Sequence, residues 1–345
     1  MFDSVITFFI TKLAGLWLFN KLYEINYWYL MEFMIVRLLE LSFIIFEIYL
    51  LCVTIENERI TMLKIIFILV DILDHSVNLL HVYSQFSKRN LWKLLMLFKA
   101  RKTKVSDFVL IYNFLLVIIG SADVLVDLSD YSSNDLILYI VDNHVSQMIY
   151  FFNNLTIYQF CKLMENLIIN LKEVNKEMGM IKNQLYLKLY VQLLIRKRNK
   201  IINQARIVNN VFSWQNLFIG LSSTIGFIAC VYEVFVDANS SEDNMLFSIV
   251  MTIVFIVYYI GNIFTVVIYC EKFGNQDEIF NEQLFQLTVE RVLLGNQDDD
   301  LWFYVSRKRN VKFTAAGFFN LGYPLITSII SSTITLVAVL VQFTF

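Results

Sequence analysis

The stretch FTAAGFFNLGYPLITSIISSTITLVAVLVQFTF, residues 313–345, contains no Asp, Glu, Lys or Arg. A helix that crosses a bilayer needs about 20 consecutive apolar residues, so this stretch alone places the chain in a membrane. Two more windows are as clean, from Ile207 to Tyr232 and from Met245 to Cys270. Four further apolar runs, 31–54, 61–83, 106–127 and 136–161, carry charges within them. Together with 211–236, 246–270 and 318–343 they make seven spans, and the fold class expected is an all-α polytopic membrane protein. Composition agrees: of 345 residues 57% are hydrophobic and only 17% charged, with a mean hydropathy of +0.59. That is too apolar for a soluble domain of ordinary surface-to-volume ratio.

Positively charged loops stay on the cytoplasmic side. Lys and Arg cluster at 88–104, 172–206 and 272–312, whereas the alternate loops around Ile55–Ile60, Leu128–Asp135 and Asp237–Asn244 offer only Arg59. This puts the N-terminus inside and the C-terminus outside, the reverse of a G-protein-coupled receptor, so no G protein is expected as partner. The sequon at Asn239 falls in an outside loop, where glycosylation is possible. Met1–Leu18 is apolar but interrupted by Asp3 and Lys12, and it lacks a basic leader with a small-residue cleavage site; it reads as an interfacial helix and not a signal peptide.

The organisation expected is therefore an N-terminal interfacial segment (1–30), spans one to four (31–161), a cytoplasmic helical extension (162–210), spans five and six (211–270), a cytoplasmic anchor (271–317) and the last span (318–345). The extension is read from Leu163, Leu167, Leu171, Val174, Met178, Ile181, Leu185, Leu189 and Leu193, which recur every three or four residues as on an amphipathic helix. Ile279, Leu284, Leu287, Val292, Leu301 and Val305 give the anchor a second apolar stripe. Such stripes need partners, from within the chain or from another subunit. No glycine-rich phosphate loop is present. Three histidines and four scattered cysteines do not make a metal site or a disulfide framework, and no nucleophile–base set converges at a recognisable spacing. Enzyme, cofactor and nucleic-acid functions are not expected.

Within the last span Ser328, Ser331, Thr335, Ala338 and Gln342 recur at intervals of three and four and so share one helical face, opposite Ile329, Ile330, Leu336, Val337 and Leu340. Small and polar groups in a bilayer face protein or water. Two readings fit: a close helix–helix seam, or a water-filled pore lined by equivalent helices from several subunits, with Gln342 as a ring of amides near the outer mouth.

Thr335-Leu336-Val337-Ala338-Val339-Leu340-Val341-Gln342-Phe343 resembles the C-terminal signature of insect gustatory receptors, which reads Thr-Tyr, five hydrophobic residues, then Gln-Phe. Phe313-Thr314-Ala315-Ala316-Gly317-Phe318-Phe319 is similar to that family's lead-in. The seven spans, inside N-terminus and long loop between spans four and five match it as well. The resemblance implies a ligand-gated cation channel, a homo- or heterotetramer with related receptors, in the plasma membrane of sensory neurons, surrounded by lipid and opened by a small-molecule tastant. It also implies that Gln342 and Phe343 stand at the gate, that Thr335 faces the pore, and that ligand binds in the outer half of spans one to six. Leu336 departs from the family's Tyr, and Val337 stands where sugar-type members have Glu, so a non-sugar type is expected.

Charged side chains at bilayer depth cost about 2.5–3.5 kcal/mol on insertion scales and face the bundle interior. The second span sets Asp71, Asp74, His75, Asn78, His81 and Gln85 along one face, and the first answers with Arg37, Glu40 and Glu47. This is either a structural polar network or the floor of a ligand cavity built from Asp71, Glu47 and Asp123, with Tyr232, Tyr258 and Tyr259 as aromatic walls. Buried acids also occur in secondary transporters, but neither internal repeats nor helices broken by Gly or Pro in both halves are found here. A non-conducting accessory subunit is the other alternative.

Overall fold

The computed structural model describes residues 42, 45, 62–87, 133–180, 187–238, 245–293, 304–305 and 311–344. The expected first span (31–54, apart from Ser42 and Ile45), the third span (106–127), Glu47, Asp123 and Asn239 lie outside the described residues. Five long helices are described: α1 Met62–Ser87, α2 Ser133–Gly179, α3 Leu187–Ala238, α4 Met245–Leu293 and α5 Tyr323–Thr344. Among the described residues three helical segments are long and apolar enough to cross a membrane, Leu189–Val236, Ser248–Leu293 and Tyr323–Gln342. They contain the three charge-free windows of the sequence.

Helices α2, α3 and α4 have 47, 52 and 49 residues. At 1.5 Å per residue each is about 70–78 Å long, more than twice the roughly 30 Å hydrocarbon thickness of a bilayer. The excess lies at the Lys- and Arg-rich ends, where the main core forms. Leu167, Leu171, Val174 and Met178 of α2 pack against Val191, Leu194, Ile202 and Val208 of α3 and Phe273, Phe280 and Leu284 of α4. The apolar rhythm read through residues 163–193 holds only as far as Met178. Helix α2 ends at Gly179 and α3 starts in a new phase at Leu187, so Leu189 and Leu193 point outward while Val191, Leu194 and Ile195 turn in. In α4, Ile279 and Val292 are likewise exposed, and Phe273, Phe280 and Leu284 carry the packing.

Cross-links at this end set the helix directions. Arg198 Nε donates to Asp277 Oδ1 at 2.7 Å, its NH1 donates to the Tyr304 hydroxyl at 2.7 Å, and that hydroxyl donates to Asn199 Oδ1 at 2.8 Å. The Asn175 amide donates to the Gln276 carbonyl at 2.8 Å. Helices α2 and α4 therefore run parallel, and α3 runs antiparallel to both.

Residues 313–322 form no part of the last helix, although the sequence reading begins the span at 318. Thr314–Ala315 and Phe319–Asn320 pair as a short antiparallel hairpin, β1 and β2. Its turn is closed by Phe318 N–H donating to the Ala315 carbonyl at 2.9 Å, with both central residues left-handed, Ala316 at φ 49° and Gly317 at φ 82°. The hairpin is fastened to α3 and α4. Thr314 N–H donates to Asn209 Oδ1 at 3.1 Å, Phe313 meets Phe273 edge-on at 5.5 Å, and Phe319 presses on Gly220, where a Cβ would stand 3.0 Å from its ring. Helix α5 then starts with Pro324 in its first turn, where the missing N–H costs nothing. Tyr323 N–H donates to Glu271 Oε1 of α4 at 3.0 Å.

Candidate functional site

The polar face of α1 is buried as its spacing requires. Asp74, His75, Asn78, His81 and Ser84 are all 5% exposed or less. Their described partners come from α3 and α2, which the sequence reading did not assign. Ser222 donates to Asp74 in a short hydrogen bond, and Gln215 Nε2 donates to Ser84 Oγ at 3.0 Å. These contacts run in opposite directions along the two helices, so α1 lies antiparallel on α3. Asn78 is fully buried, and among the described residues neither of its amide atoms has a hydrogen-bond partner, an exception to the rule that buried polar groups are paired.

One turn beyond Asp74 the seam opens onto an aromatic cluster. The Tyr150 hydroxyl of α2 lies 3.5 Å from Asp71 Oδ1 and donates to it. Its ring meets Tyr258 of α4 edge-on at 5.3 Å and Phe255 at 6.1 Å, and Tyr258 meets Tyr259 at 5.1 Å. Val70, Cys230, Tyr258 and Tyr259 form a core separate from the basic-end core, with Phe67 and Phe227 packed on it. Asp71, Tyr258 and Tyr259 are thus brought together, and the residue that joins them is Tyr150. Its only signal in the sequence is one tyrosine among 18, in a span that also carries Asp142, His144, Asn153 and Asn154. Tyr232 does not join them: it is buried, but it lies two residues past Cys230 on α3, about 200° around the helix, and stands outside this cluster. The arrangement offers one carboxylate beside several aromatic faces, which suits a small ligand with an apolar body and a cationic or hydroxyl group.

The second element is α5. Only 11% of its apolar window is buried, against 50% for α3 and 33% for α4, so it stands on the outside of its own chain. At 100° per residue Ile326, Ile329, Thr333, Val337 and Leu340 fall in an arc about 80° wide, and Ser328, Ser331, Thr335, Ala338 and Gln342 fall in a second such arc about 180° away. Thr333 and Val337 of the first arc are buried, while every residue of the second is exposed. Leu336, read from sequence as part of the packed face, is exposed at its flank, and Thr333 is buried in its place. Phe343 lies within α5, and its side chain is outside the described residues. The Ser328 and Thr335 hydroxyls donate back to the Pro324 and Ser331 carbonyls at 2.8 and 3.0 Å, an arrangement that satisfies them along the helix. Behind the packed arc a narrow crevice of about 20 Å³ lies between α5 and the pair α3 and α4; Ser223, Phe227 and Tyr259 face Ile326, Ile329 and Ile330 across it.

The family described as 7tm chemosensory receptor matches residues 60–345. Among curated proteins nothing matches the sequence. The fold is similar to that of the insect olfactory receptor OR5 from Machilis hrabei. Its structure in complex with eugenol is 14% identical with a TM-score of 0.71, covering 99% of this chain and 98% of that one. The structure of the same receptor described without a ligand is 15% identical with a TM-score of 0.71, covering 99% and 97%.

Proposed function

The chain belongs to the 7tm chemosensory receptor family, multi-pass membrane receptors and not enzymes, and from that premise we propose that it is a ligand-gated, weakly selective cation channel of the gustatory, non-sugar type. In this reading the N-terminus is cytoplasmic and the C-terminus extracellular. Four subunits, identical or related, set their α5 helices around one pore, and the basic ends of α2, α3 and α4 form a shared cytoplasmic layer. The observation that carries it is the placement of the polar stripe of α5: it lies opposite the face that packs on its own chain, so a ring of such helices turns Ser328, Thr335 and Gln342 toward a common axis. Exposed Leu189, Leu193 and Ile279 supply apolar surface for contacts between subunits.

The pore stripe carries no fixed charge, which favours weak selectivity among small cations. Gln342 and Phe343 close it near the outer end, the phenyl ring by dewetting. The ligand pocket is the Asp71, Tyr150, Tyr258 and Tyr259 set. The eugenol complex of the olfactory relative supports a small organic ligand, and the Asp71 carboxylate favours amines among tastants. A second reading, a non-conducting partner subunit, rests on Leu336, which lacks the hydroxyl that the gustatory signature places there.

Expression of the chain alone in a heterologous cell, with current recorded while amines, bitter compounds and sugars are applied, tests the proposal. Inward cation current to amines or bitter compounds, with none to sugars, is expected. Silence alone with current on co-expression of a relative favours the partner-subunit reading. Silence in both settings, with the protein at the cell surface, contradicts the channel.

A further inference from the structure

Tyr259 stands where the pocket and the last helix meet. It is 1% exposed. On one side its ring meets Tyr258 at 5.1 Å, and Tyr258 in turn meets Tyr150 at 5.3 Å. On the other it lines the crevice that faces Ile326, Ile329 and Ile330 of α5. Its ring lies flat against Gly226 of α3, where a Cβ would come within 2.5, 2.6 and 2.7 Å of three ring atoms. Gly226 is helical and has no positive φ, so the backbone does not need glycine there. The ring does.

We infer that Gly226 and Tyr259 form the positioning pair through which an occupied pocket moves the pore helix, an inference that rests on the channel reading above. Gly226 closes one face of the ring, and Tyr258, itself packed on Tyr150, holds its pocket side. A ligand that wedges against Tyr258 therefore drives the ring into the narrow crevice, which has too little room to absorb the movement. Ile329 of α5 is across that space. The N-terminal end of α5 is tied by the bond from Tyr323 N–H to Glu271, so a push acts as on a lever. Ile329 lies about 9 Å along the helix from Tyr323 and Gln342 about 28 Å. A displacement of about 1 Å at Ile329 becomes about 3 Å at Gln342, the scale on which a dewetted constriction opens.

The test compares Gly226→Ala, Tyr259→Leu and the double variant with wild type, each recorded as whole-cell current normalised to surface protein, with the most effective amine as agonist. A methyl at 226 pushes the ring into the crevice without ligand. Gly226→Ala is expected to raise ligand-free current at least threefold and to shift the dose–response curve to lower concentration. The double variant, with a smaller side chain over the methyl, is expected to lose the extra ligand-free current that Gly226→Ala gains, together with most of the agonist response. Tyr259→Leu alone, which keeps the test alive if the methyl prevents folding, is expected to lose maximal response while surviving openings keep wild-type single-channel conductance. Unchanged or lowered basal current in Gly226→Ala, or a full agonist response in Tyr259→Leu, overturns the coupling and leaves the channel standing. A wild type that conducts neither alone nor with a relative overturns both.

Discussion

Two ion pairs on successive residues of α3 differ in burial and little else. Lys197 Nζ lies 2.8 Å from Glu177 Oε2, with side chains 46% and 32% exposed; Arg198 lies 2.6 Å from Asp277 Oδ1, with side chains 5% and 3% exposed. Removing one member of an exposed pair costs about 0.2–1 kcal/mol. Breaking a buried pair costs about 3–5 kcal/mol, because the remaining charge is left without compensation. Asp277→Ala strands the Arg198 guanidinium beside the Tyr304 hydroxyl and the Phe280 ring, 5.4 Å away, neither of which carries charge. Asp277→Ala is therefore expected to destabilise the protein by about 3 kcal/mol more than Glu177→Ala, roughly a hundredfold in the folded-to-unfolded ratio at 1.4 kcal/mol per tenfold. Unfolding of the purified protein in mixed micelles of rising SDS fraction measures this. Equal midpoints for the two variants would mean that burial does not set the cost of stranding the Arg198 charge. The hydrogen bond that Lys197 Nζ donates to the Glu177 carboxylate raises the Lys197 pKa above its ordinary 10.5. A raised folded-state value makes the Lys197 contribution fully present below the unfolded pKa and lost as pH rises through the folded one. The small deficit of Lys197→Ala should therefore be flat from about pH 6 to about pH 9 and fade only in strong alkali.

Three further outcomes are expected. Gln342→Glu places one carboxylate per subunit at the constriction, so block by divalent cations should rise and become pH-dependent as neighbouring carboxylates share protons, read from current–voltage curves at several pH values. Glu271→Ala removes the group that takes the first N–H of α5; it should destabilise by about 1 kcal/mol, and Glu271→Gln by less, since the acceptor remains and only the charge facing the helix dipole is lost, measured by the same SDS titration. Asp71→Asn should leave surface expression near wild type and weaken the response to amines at least tenfold, whereas collapse of expression with unchanged sensitivity would make Asp71 a helix strut.

The membrane helices were legible because charge is so expensive in hydrocarbon that its absence marks a span. Windows 211–236 and 246–270 lie inside α3 and α4 for that reason. Their extensions were legible where the apolar rhythm holds, through Leu167, Leu171, Val174 and Met178, and not past Gly179, where a break resets the helix phase. The hairpin at 314–320 was hidden: its strands are two residues long, and Ala316 adopts a left-handed conformation that alanine does not favour. Gly317 was the one visible cue. Of the site, the polar faces of α1 and α5 could be read from spacing, since four-residue recurrence survives without knowledge of neighbours. Their partners could not. Ser222, Gln215 and Tyr150 sit among other polar residues (Ser223, Asn216, Asn153), and which of them turns to α1 is decided by how α3 and α2 pack on it.

If α5 lines a pore, its face turned away from its own chain meets water. Single cysteines at positions 328, 335, 338 and 342, and at 333 and 337 as controls, can be tested with a water-soluble, charged thiol reagent applied during agonist-evoked current, on a background lacking the native cysteines. Irreversible change of current at 335, 338 and 342, with none at 333 and 337, is the expected result. Reaction at 333 and 337 with inert 335, 338 and 342 would contradict it.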